Sequence, residues 1–231
     1  VGHEPMRQAM VRWGVEQQLA RKVKVVNDAE AVLRAGTPEG WGIALIAGTG
    51  SFAFGLTKDG THKRSGGWGF LFGDEGSGYA IGIAGLRAVT QAADRRGPET
   101  ALTAALLKQL ELEKPVDLVH ALCAPTPDRR QIAGLAPRVL EAASEGDSAA
   151  ERILFQAARE LAELVVAVAQ QLSFRGDEYS LALAGGVLVT HPGLQQEVTN
   201  QLRDECLAPQ TTLAVLNPAE GAALLANEAV E

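Results

Sequence analysis

Apolar residues occur along the chain in two patterns, short unbroken runs and longer stretches with helical spacing. The runs Ile43–Ala47 and Tyr179–Ala184 are apolar or nearly so, and each leads directly into glycine. Runs this short, bounded by glycine, favour buried strands over helices. From residue 148 onwards the apolar residues are instead three or four positions apart, which predicts a long amphipathic helix. The residues on its apolar face are Leu154, Ala158, Leu161, Val165, Val168 and Leu172.

Residues 42–66 are predicted to form an antiparallel meander of three strands. After the first apolar run, a second strand is predicted over Phe52–Thr57. The turn Lys58-Asp59-Gly60-Thr61 follows, and Asp-Gly between strand-like runs is a strong signal for a hairpin. The third strand then runs into a glycine-rich segment that begins at Gly66.

The order of the elements predicts an α/β fold with a mixed sheet and a helical block. Residues 3–21 have helical character, and the β-branched run Val23–Val26 predicts a buried strand that leads into a short helix at Asn27-Asp28. After the meander, Asp74–Ala93 is predicted to begin the helical block. A strand–helix–strand–helix unit closes the chain from residue 179.

Composition and charge exclude several classes of protein. The chain has 231 residues, of which 46% are hydrophobic, and a formal net charge of −7. This acidic balance argues against nucleic acid as a partner, because phosphate backbones require clustered lysine and arginine. No apolar run approaches the roughly 18–20 residues that span a bilayer. The only cysteines, Cys123 and Cys206, have no metal-ligand spacing, and a reduced cytoplasmic location is expected.

Two glycine turns follow predicted strands and are candidates for binding phosphate. In Gly48-Thr49-Gly50-Ser51, the glycines permit close approach of an anion and the hydroxyls add donors. A glycine-rich turn without a ligand explains the same four residues equally well. Gly185-Gly186 could likewise pass close to a nucleotide or simply turn the chain.

The segment Gly66–Gly78 has a composition that favours a sugar site. It contains glycines that clear space, Trp68 with its apolar face, and the carboxylates of Asp74 and Glu75. The alternative makes Trp68 a core residue and places both acids in the first turn of a helix, where they favour the helix dipole. The glycine surroundings favour a functional role for Asp74. For Asp28, the local pattern on its own favours a helix N-cap.

Taken together and in this order, these segments resemble the N-acetylglucosamine kinase group of the BadF/BadG/BcrA/BcrD ATPase family, within the actin/hexokinase/Hsp70 superfamily. The segments that carry the resemblance most specifically are Asn27-Asp28-Ala29, Leu45-Ile46-Ala47-Gly48-Thr49-Gly50-Ser51, Gly66-Gly67-Trp68-Gly69 and Gly73-Asp74-Glu75-Gly76-Ser77. Weaker matches are Ile132-Ala133-Gly134, Ala184-Gly185-Gly186-Val187 and Pro218-Ala219-Glu220-Gly221-Ala222.

The resemblance implies two ribonuclease-H-like lobes with ATP, Mg²⁺ and an amino sugar in the cleft between them. Residues 1–40 would be the end of the first lobe, and residues 41–231 would be the second lobe, with the last helix packing back on the first. Asp28 would accept the proton of the sugar's 6-hydroxyl and contact the sugar. The other implied sugar-site residues are Gly67, Trp68 and Asp74, and the implied ATP-site residues are Thr49, Gly50, Ser51, Ala133, Gly185 and Gly186.

The chain departs from the family pattern at its start. The family begins with an Asp-Gly-Gly-Gly-Thr hairpin, the first phosphate-binding segment, and an upstream Asn that helps to hold the acetamido group. Neither is present, and the first residue is Val1. We therefore expect an N-terminally truncated chain that has little or no activity alone.

Three alternatives remain open from the sequence. The acceptor could be glucosamine or N-acetylmuramate instead of N-acetylglucosamine. The protein could be an ATPase activator of a reductase, although Cys123 and Cys206 are not placed for a shared iron–sulfur cluster. It could also be a non-enzymatic sugar or nucleotide sensor, which has less need of the base Asp28. A homodimer also stays open.

Overall fold

The computed structural model describes residues 4–20, 22–122 and 128–228, in which a five-stranded mixed sheet lies between two helical layers. The strands are β1 (Gly42–Ala47), β2 (Ser51–Leu56), β3 (His62–Gly66), β4 (Ser180–Ala184) and β5 (Thr211–Ala214). Their order across the sheet is β3-β2-β1-β4-β5. The first three strands are antiparallel, β4 is parallel to β1, and β5 is parallel to β4. The predicted meander and mixed sheet are confirmed.

Helices of very different length surround this sheet. They are α1 (Glu4–Glu16), α2 (Asp28–Gly36), α3 (Gly78–Ala93), α4 (Leu102–Gln109), α5 (Asp117–Leu122), α6 (Arg129–Ala133), α7 (Ala136–Ser144), α8 (Ser148–Leu172), α9 (Gly186–Thr190), α10 (Pro192–Asp204) and α11 (Pro218–Glu228). The long amphipathic helix predicted from residue 148 is α8, and its N-cap is Asp147.

Alternation along the strands separates the core into two layers. Ile43 and Leu45 of β1 point into the larger cluster, which includes the apolar face of α8. Ala44, between them, belongs to a smaller cluster with α2 on the opposite face. The helix α11 packs against α2 so closely that a β-carbon at Gly221 would lie 1.8 Å from the Ala31 carbonyl oxygen. Only glycine allows this approach of the two helices.

Two local predictions near the start of the chain were wrong. Val23–Val26 forms no strand in the described structure, because a strand requires a neighbouring strand for its hydrogen bonds. Arg7 Nη2 instead donates to the Val25 carbonyl oxygen at 2.9 Å. The cap of α2 is Asn27 rather than Asp28, and Asn27 forms a capping box with Glu30.

The helix predicted from Asp74 begins four residues later. Asp74 and Gly76 have φ values of +61° and +68°, which a right-handed helix does not accept. Ser77 is the cap of α3, and its side chain accepts a hydrogen bond from the Ala80 amide. Asp74 and Glu75 therefore belong to the glycine-rich loop. Cys123 lies outside the described residues, whereas Cys206 is an exposed free thiol.

Candidate active site

The carboxyl ends of the parallel strands β1 and β4 bring two glycine turns into contact. Gly185, directly after β4, has φ +89°, and a β-carbon there would lie 2.3 Å from the carbonyl oxygen of Ala47, the last residue of β1. Any side chain at residue 185 would therefore separate the two strand ends. In open α/β sheets, ligands bind in the crevice outside such carboxyl ends.

The hairpin between β1 and β2 leaves backbone donors available at this edge. The Gly48 amide donates to the Gly50 carbonyl oxygen at 2.9 Å, which closes the turn. Thr49 is exposed, and within the described residues its hydroxyl, its amide and the Gly50 amide have no hydrogen-bond partner. Successive unpaired amides in a turn form a concave binding site for an anion.

The first residue of α3 lies where the segments predicted to bind nucleotide meet. The Gly78 amide donates to the Gly48 carbonyl oxygen at 2.8 Å. A β-carbon at Gly78 would lie 3.0 Å from that oxygen, 3.1 Å from Val187 Cγ2 and 3.2 Å from the Ala133 carbonyl oxygen. The hairpin, the end of α6 and the first turn of α9 therefore meet around one point.

The glycine-rich loop after β3 lies against the same hairpin and presents an aromatic side chain to solvent. The Gly67 amide donates to the Ser51 carbonyl oxygen at 3.0 Å, and Gly67 has φ +72°. Trp68 is 70% exposed, so it is not a core residue. The Arg64 guanidinium carbon lies 5.8 Å from the centroid of its ring, and the remaining exposed surface of the indole is available to a ligand.

Asp74 is buried between this loop and the hairpin. It is 5% exposed, and its Oδ1 accepts a hydrogen bond from the Ser51 amide at 3.2 Å. The Ser51 hydroxyl donates to the Glu75 carbonyl oxygen at 2.6 Å. The close packing extends to Gly50, where a β-carbon would lie 2.6 Å from Asp74 Oδ1. The carboxylate is thus a structural part of the turn as well as a candidate ligand group.

The structure adds a residue that the sequence did not single out, Arg129 at the start of α6. Its Nη2 lies 3.3 Å from Asp74 Oδ2. Its guanidinium carbon lies 4.5 Å from the ring centroid of Phe70 and 5.9 Å from that of Tyr79. No signal in the sequence separates Arg129 from its neighbour Arg130, since the contact depends on how α6 docks onto the loop.

Asp28 reaches this edge of the sheet from the other side. It is exposed at the first position of α2, and its Oδ1 accepts a hydrogen bond from the Ala29 amide at 3.0 Å. Because α2 packs on β1 and β4 and leads into β1 through a short loop, it runs antiparallel to β1. Asp28, its first residue, therefore lies towards the carboxyl end of β1. A group that faces the crevice outside the strand ends must lie there.

Neither a metal cluster nor a membrane span is found in the part of the chain that is described. Among those residues, no group of three or more His, Cys, Asp or Glu side chains could hold a metal ion. None of the described helices is both long and apolar enough to cross a bilayer.

This strand order, with an antiparallel meander followed by parallel strands and with a glycine hairpin at the carboxyl edge, defines a ribonuclease-H-like lobe of the actin-like ATPase class. The chain belongs to the BadF/BadG/BcrA/BcrD ATPase family, whose model matches residues 2–226.

Two curated relatives and one solved structure are similar to most of the chain. An N-acetylmuramic acid/N-acetylglucosamine kinase of Clostridium acetobutylicum is 42% identical over 167 residues, which cover 72% of the chain and 55% of the relative. An N-acetyl-D-glucosamine kinase of Dictyostelium discoideum is 36% identical over 203 residues, which cover 87% of the chain and 64% of the relative. A Chromobacterium violaceum structure, described as a candidate N-acetylglucosamine kinase, matches with a TM-score of 0.70 and 30% identity over 97% of the chain and 72% of that structure.

The matched region is shorter than these relatives. The chain spans 55% of the length of the Clostridium kinase and 64% of the length of the Dictyostelium kinase. The fold and the family are therefore established for this chain, and the activity of the whole protein is a matter for proposal.

Proposed function

We propose that the protein transfers the terminal phosphoryl group of ATP to the 6-hydroxyl of an amino sugar, with N-acetylglucosamine as the first acceptor. The observation that carries this proposal is the convergence of the 48–51 hairpin, the end of α6 and the first turn of α9 around Gly78. The names of the two curated relatives support the acceptor class. The Clostridium relative also makes N-acetylmuramate the second acceptor to test.

The nucleotide would lie against backbone groups. The free amides of Thr49 and Gly50 and the hydroxyl of Thr49 would donate to phosphate oxygens, next to Ser51. Ala133, Gly185 and Gly186 would border the adenosine, where Gly186 has open space around it. Mg²⁺ bound to the phosphates would neutralise charge that builds up during transfer.

The acceptor would lie between the glycine-rich loop and α2. Trp68 would cover an apolar face of the sugar, and Gly67 and Asp74 would contact its hydroxyls. Asp28 would accept the proton of the attacking hydroxyl, since its exposed carboxylate has one described hydrogen bond and room for another. In-line transfer then depends mainly on the positions of the two substrates.

The arrangement of the whole protein is part of the same proposal. Residues 1–40 would belong to a first lobe and residues 41–231 to a second, and the substrates would bind between them. The cytoplasm is the proposed location, because ATP is available there and the exposed thiol of Cys206 stays reduced.

A coupled ADP-release assay on the full-length product of the gene tests the function. Mg-ATP would be offered with N-acetylglucosamine, N-acetylmuramate, glucosamine or glucose in turn. We expect turnover with an N-acetylated amino sugar and a fall of about 10²-fold to 10⁴-fold in kcat for Asp28→Asn. Asp204→Asn, which removes an exposed carboxylate at the end of α10, should behave like the wild type. Absence of acceptor-dependent turnover with all four sugars would overturn the proposal.

A further inference from the structure

The contacts of Asp74 show that its carboxylate is held from two sides by different elements. Oδ1 accepts from the Ser51 amide of the hairpin at 3.2 Å, and Oδ2 accepts from Arg129 Nη2 of α6 at 3.3 Å. Asp74 itself has φ +61° and is 5% exposed. A carboxylate fixed at both oxygens keeps one orientation, and each oxygen retains a further lone pair for a ligand hydroxyl.

Arg129 contacts aromatic rings as well as the carboxylate of Asp74. Its guanidinium lies over Phe70 at 4.5 Å, and Phe70 meets Tyr79 edge-on at 5.6 Å. The Arg129 Nε is buried and has no hydrogen-bond partner in the described structure. A planar guanidinium can stack on an aromatic ring and pair with a carboxylate at the same time, which an ammonium group does less well.

The same helix reaches the nucleotide side of the site. α6 ends at Ala133, whose carbonyl oxygen would lie 3.2 Å from a β-carbon at Gly78. Gly78 in turn donates to the hairpin through Gly48. Arg129 therefore joins the loop that carries Trp68 and Asp74 to the helix that borders the proposed adenosine site.

We propose that Arg129 is a positioning residue that orients Asp74 for the acceptor sugar. The inference rests on the proposed function and goes beyond it by assigning a role to a side chain outside the glycine-rich loop. Removal of the guanidinium would free Oδ2 of Asp74 and let the carboxylate rotate away from the acceptor. The effect should fall on acceptor binding, because the phosphate hairpin keeps its own backbone contacts.

Steady-state kinetics of Arg129→Gln in the full-length product provide the test. We expect the acceptor KM to rise about tenfold or more, as for the loss of a charge-assisted hydrogen bond, with the KM for ATP within about twofold of the wild type. Arg129→Lys, which keeps the charge and loses the planar stacking, should recover part of the acceptor affinity. The matched control is Arg130→Gln, which removes the same charge one residue later, where the side chain is exposed and forms no hydrogen bond or ion pair with a described residue.

The outcomes separate this proposal from the function on which it rests. An active wild type with an unchanged acceptor KM in Arg129→Gln would overturn the positioning role and leave the kinase function intact. A wild type without acceptor-dependent turnover would overturn the function itself. Equal rises in both KM values would also contradict the proposal, since they indicate a general disturbance of the fold. If Arg129→Gln does not fold, Phe70→Leu keeps the ion pair, removes the stacking ring and should raise only the acceptor KM.

Discussion

The two halves of the candidate site are held in different ways. On the nucleotide side, backbone meets backbone: Gly185 approaches Ala47, and Gly78 approaches Gly48 and Ala133. On the proposed acceptor side, Trp68 is 70% exposed, and the loop is held by side-chain contacts of Asp74 and Phe70 in addition to the Gly67 amide.

This difference indicates what each half can tolerate. Where two main-chain segments are in contact, as at Gly185 and Gly78, a substitution acts through the fold. A site made of side chains on a loop can change its ligand preference at little cost in stability. Variation of the acceptor within one nucleotide-binding frame is therefore expected from the construction of the site.

Among the variants proposed for the candidate site, Gly185→Ala should have the largest effect on stability. The new β-carbon would lie 2.3 Å from the Ala47 carbonyl oxygen, and φ is +89°. Strain and overpacking together should lower the free energy of unfolding by about 3 kcal/mol or more. Urea denaturation measures this, with Gly186→Ala as the control.

Gly186 is a matched control because it adjoins Gly185 but has open space around it. No heavy atom lies within 4 Å of a β-carbon at this position, which is the first residue of α9. We expect Gly186→Ala to be neutral or to stabilise by up to about 1 kcal/mol. Equal losses in the two variants would show that the contact between strand ends does not set the stability of this edge.

The second effect concerns the side-chain half, where Asp74→Asn removes a charge and replaces one of two accepting oxygens with an NH2 group that faces a donor. Asparagine accepts the left-handed backbone as aspartate does, so φ +61° adds no strain. Loss of the charge-assisted bonds to Ser51 and Arg129 should lower the free energy of unfolding by about 1 to 2 kcal/mol. The Arg129 side chain is 40% exposed, and solvent screening weakens an exposed ion pair. We therefore expect a loss of free energy near the lower end of this range.

Acceptor binding to Asp74→Asn, measured by calorimetry beside urea denaturation, sharpens the comparison. We expect weaker binding of the sugar and unchanged binding of ATP, with Asp204→Asn showing neither change. If the variant instead lost ATP affinity as strongly as sugar affinity, the proposed division of the site into two halves would be wrong.

The sequence predicted the strand ends and glycine turns of the proposed nucleotide half better than the conformation of the glycine-rich loop, for a physical reason. The hairpin at 48–51 and the turn at 185–186 follow short apolar runs, and a strand followed by glycine is a local signal. The mixed sheet itself followed from such runs, and it is confirmed. The roles of individual residues at these turns stay predictions.

The features that the sequence missed depend on tertiary contacts. Val23–Val26 has the composition of a strand, but its structure was decided by whether a neighbouring strand was there to pair with it. Asp74 reads as the start of a helix until Ser77 is known to be the cap. Arg129 acquires its importance from the docking of α6 on the loop, more than fifty positions away in the chain.

A third variant, Asp147→Ala, should have a smaller effect on the free energy of unfolding and should leave both halves of the site unchanged. Asp147 caps α8 and also accepts from the start of α4, so Asp147→Ala should cost about 1 kcal/mol at pH 7. Burial pushes the pKa of its carboxyl upwards, but hydrogen bonds outweigh this and lower it below the ordinary value of 3.8. The donors are the amides of Ala150, Ala101 and Ala149 and the hydroxyl of Thr100.

The sign of the pH effect follows from that lowered pKa. The folded state binds a proton less readily than the unfolded state, so the stabilisation is present above pH 3.8 and is lost as the pH falls below it. Unfolding curves between pH 7 and pH 2.5 should show this loss in the wild type and a smaller one in Asp147→Ala. Glu145→Ala, at an exposed carboxylate nearby, is the control. A change in sugar or ATP affinity in Asp147→Ala would contradict its assignment to the scaffold.

The smallest effect on stability, and the sharpest test of the acceptor half, is expected for Trp68→Ala. A side chain that is 70% exposed contributes little to the core, so the free energy of unfolding should change by less than about 0.5 kcal/mol. If the indole covers the sugar, removing about 1.5 kcal/mol of apolar burial should weaken sugar binding about tenfold. Phe72→Ala is the matched control, because Phe72 lies in the same loop and is 82% exposed. If Trp68→Ala kept the sugar affinity of the wild type, the indole would not be part of the sugar site. An equal loss of sugar affinity in Phe72→Ala would assign the effect to the loop as a whole.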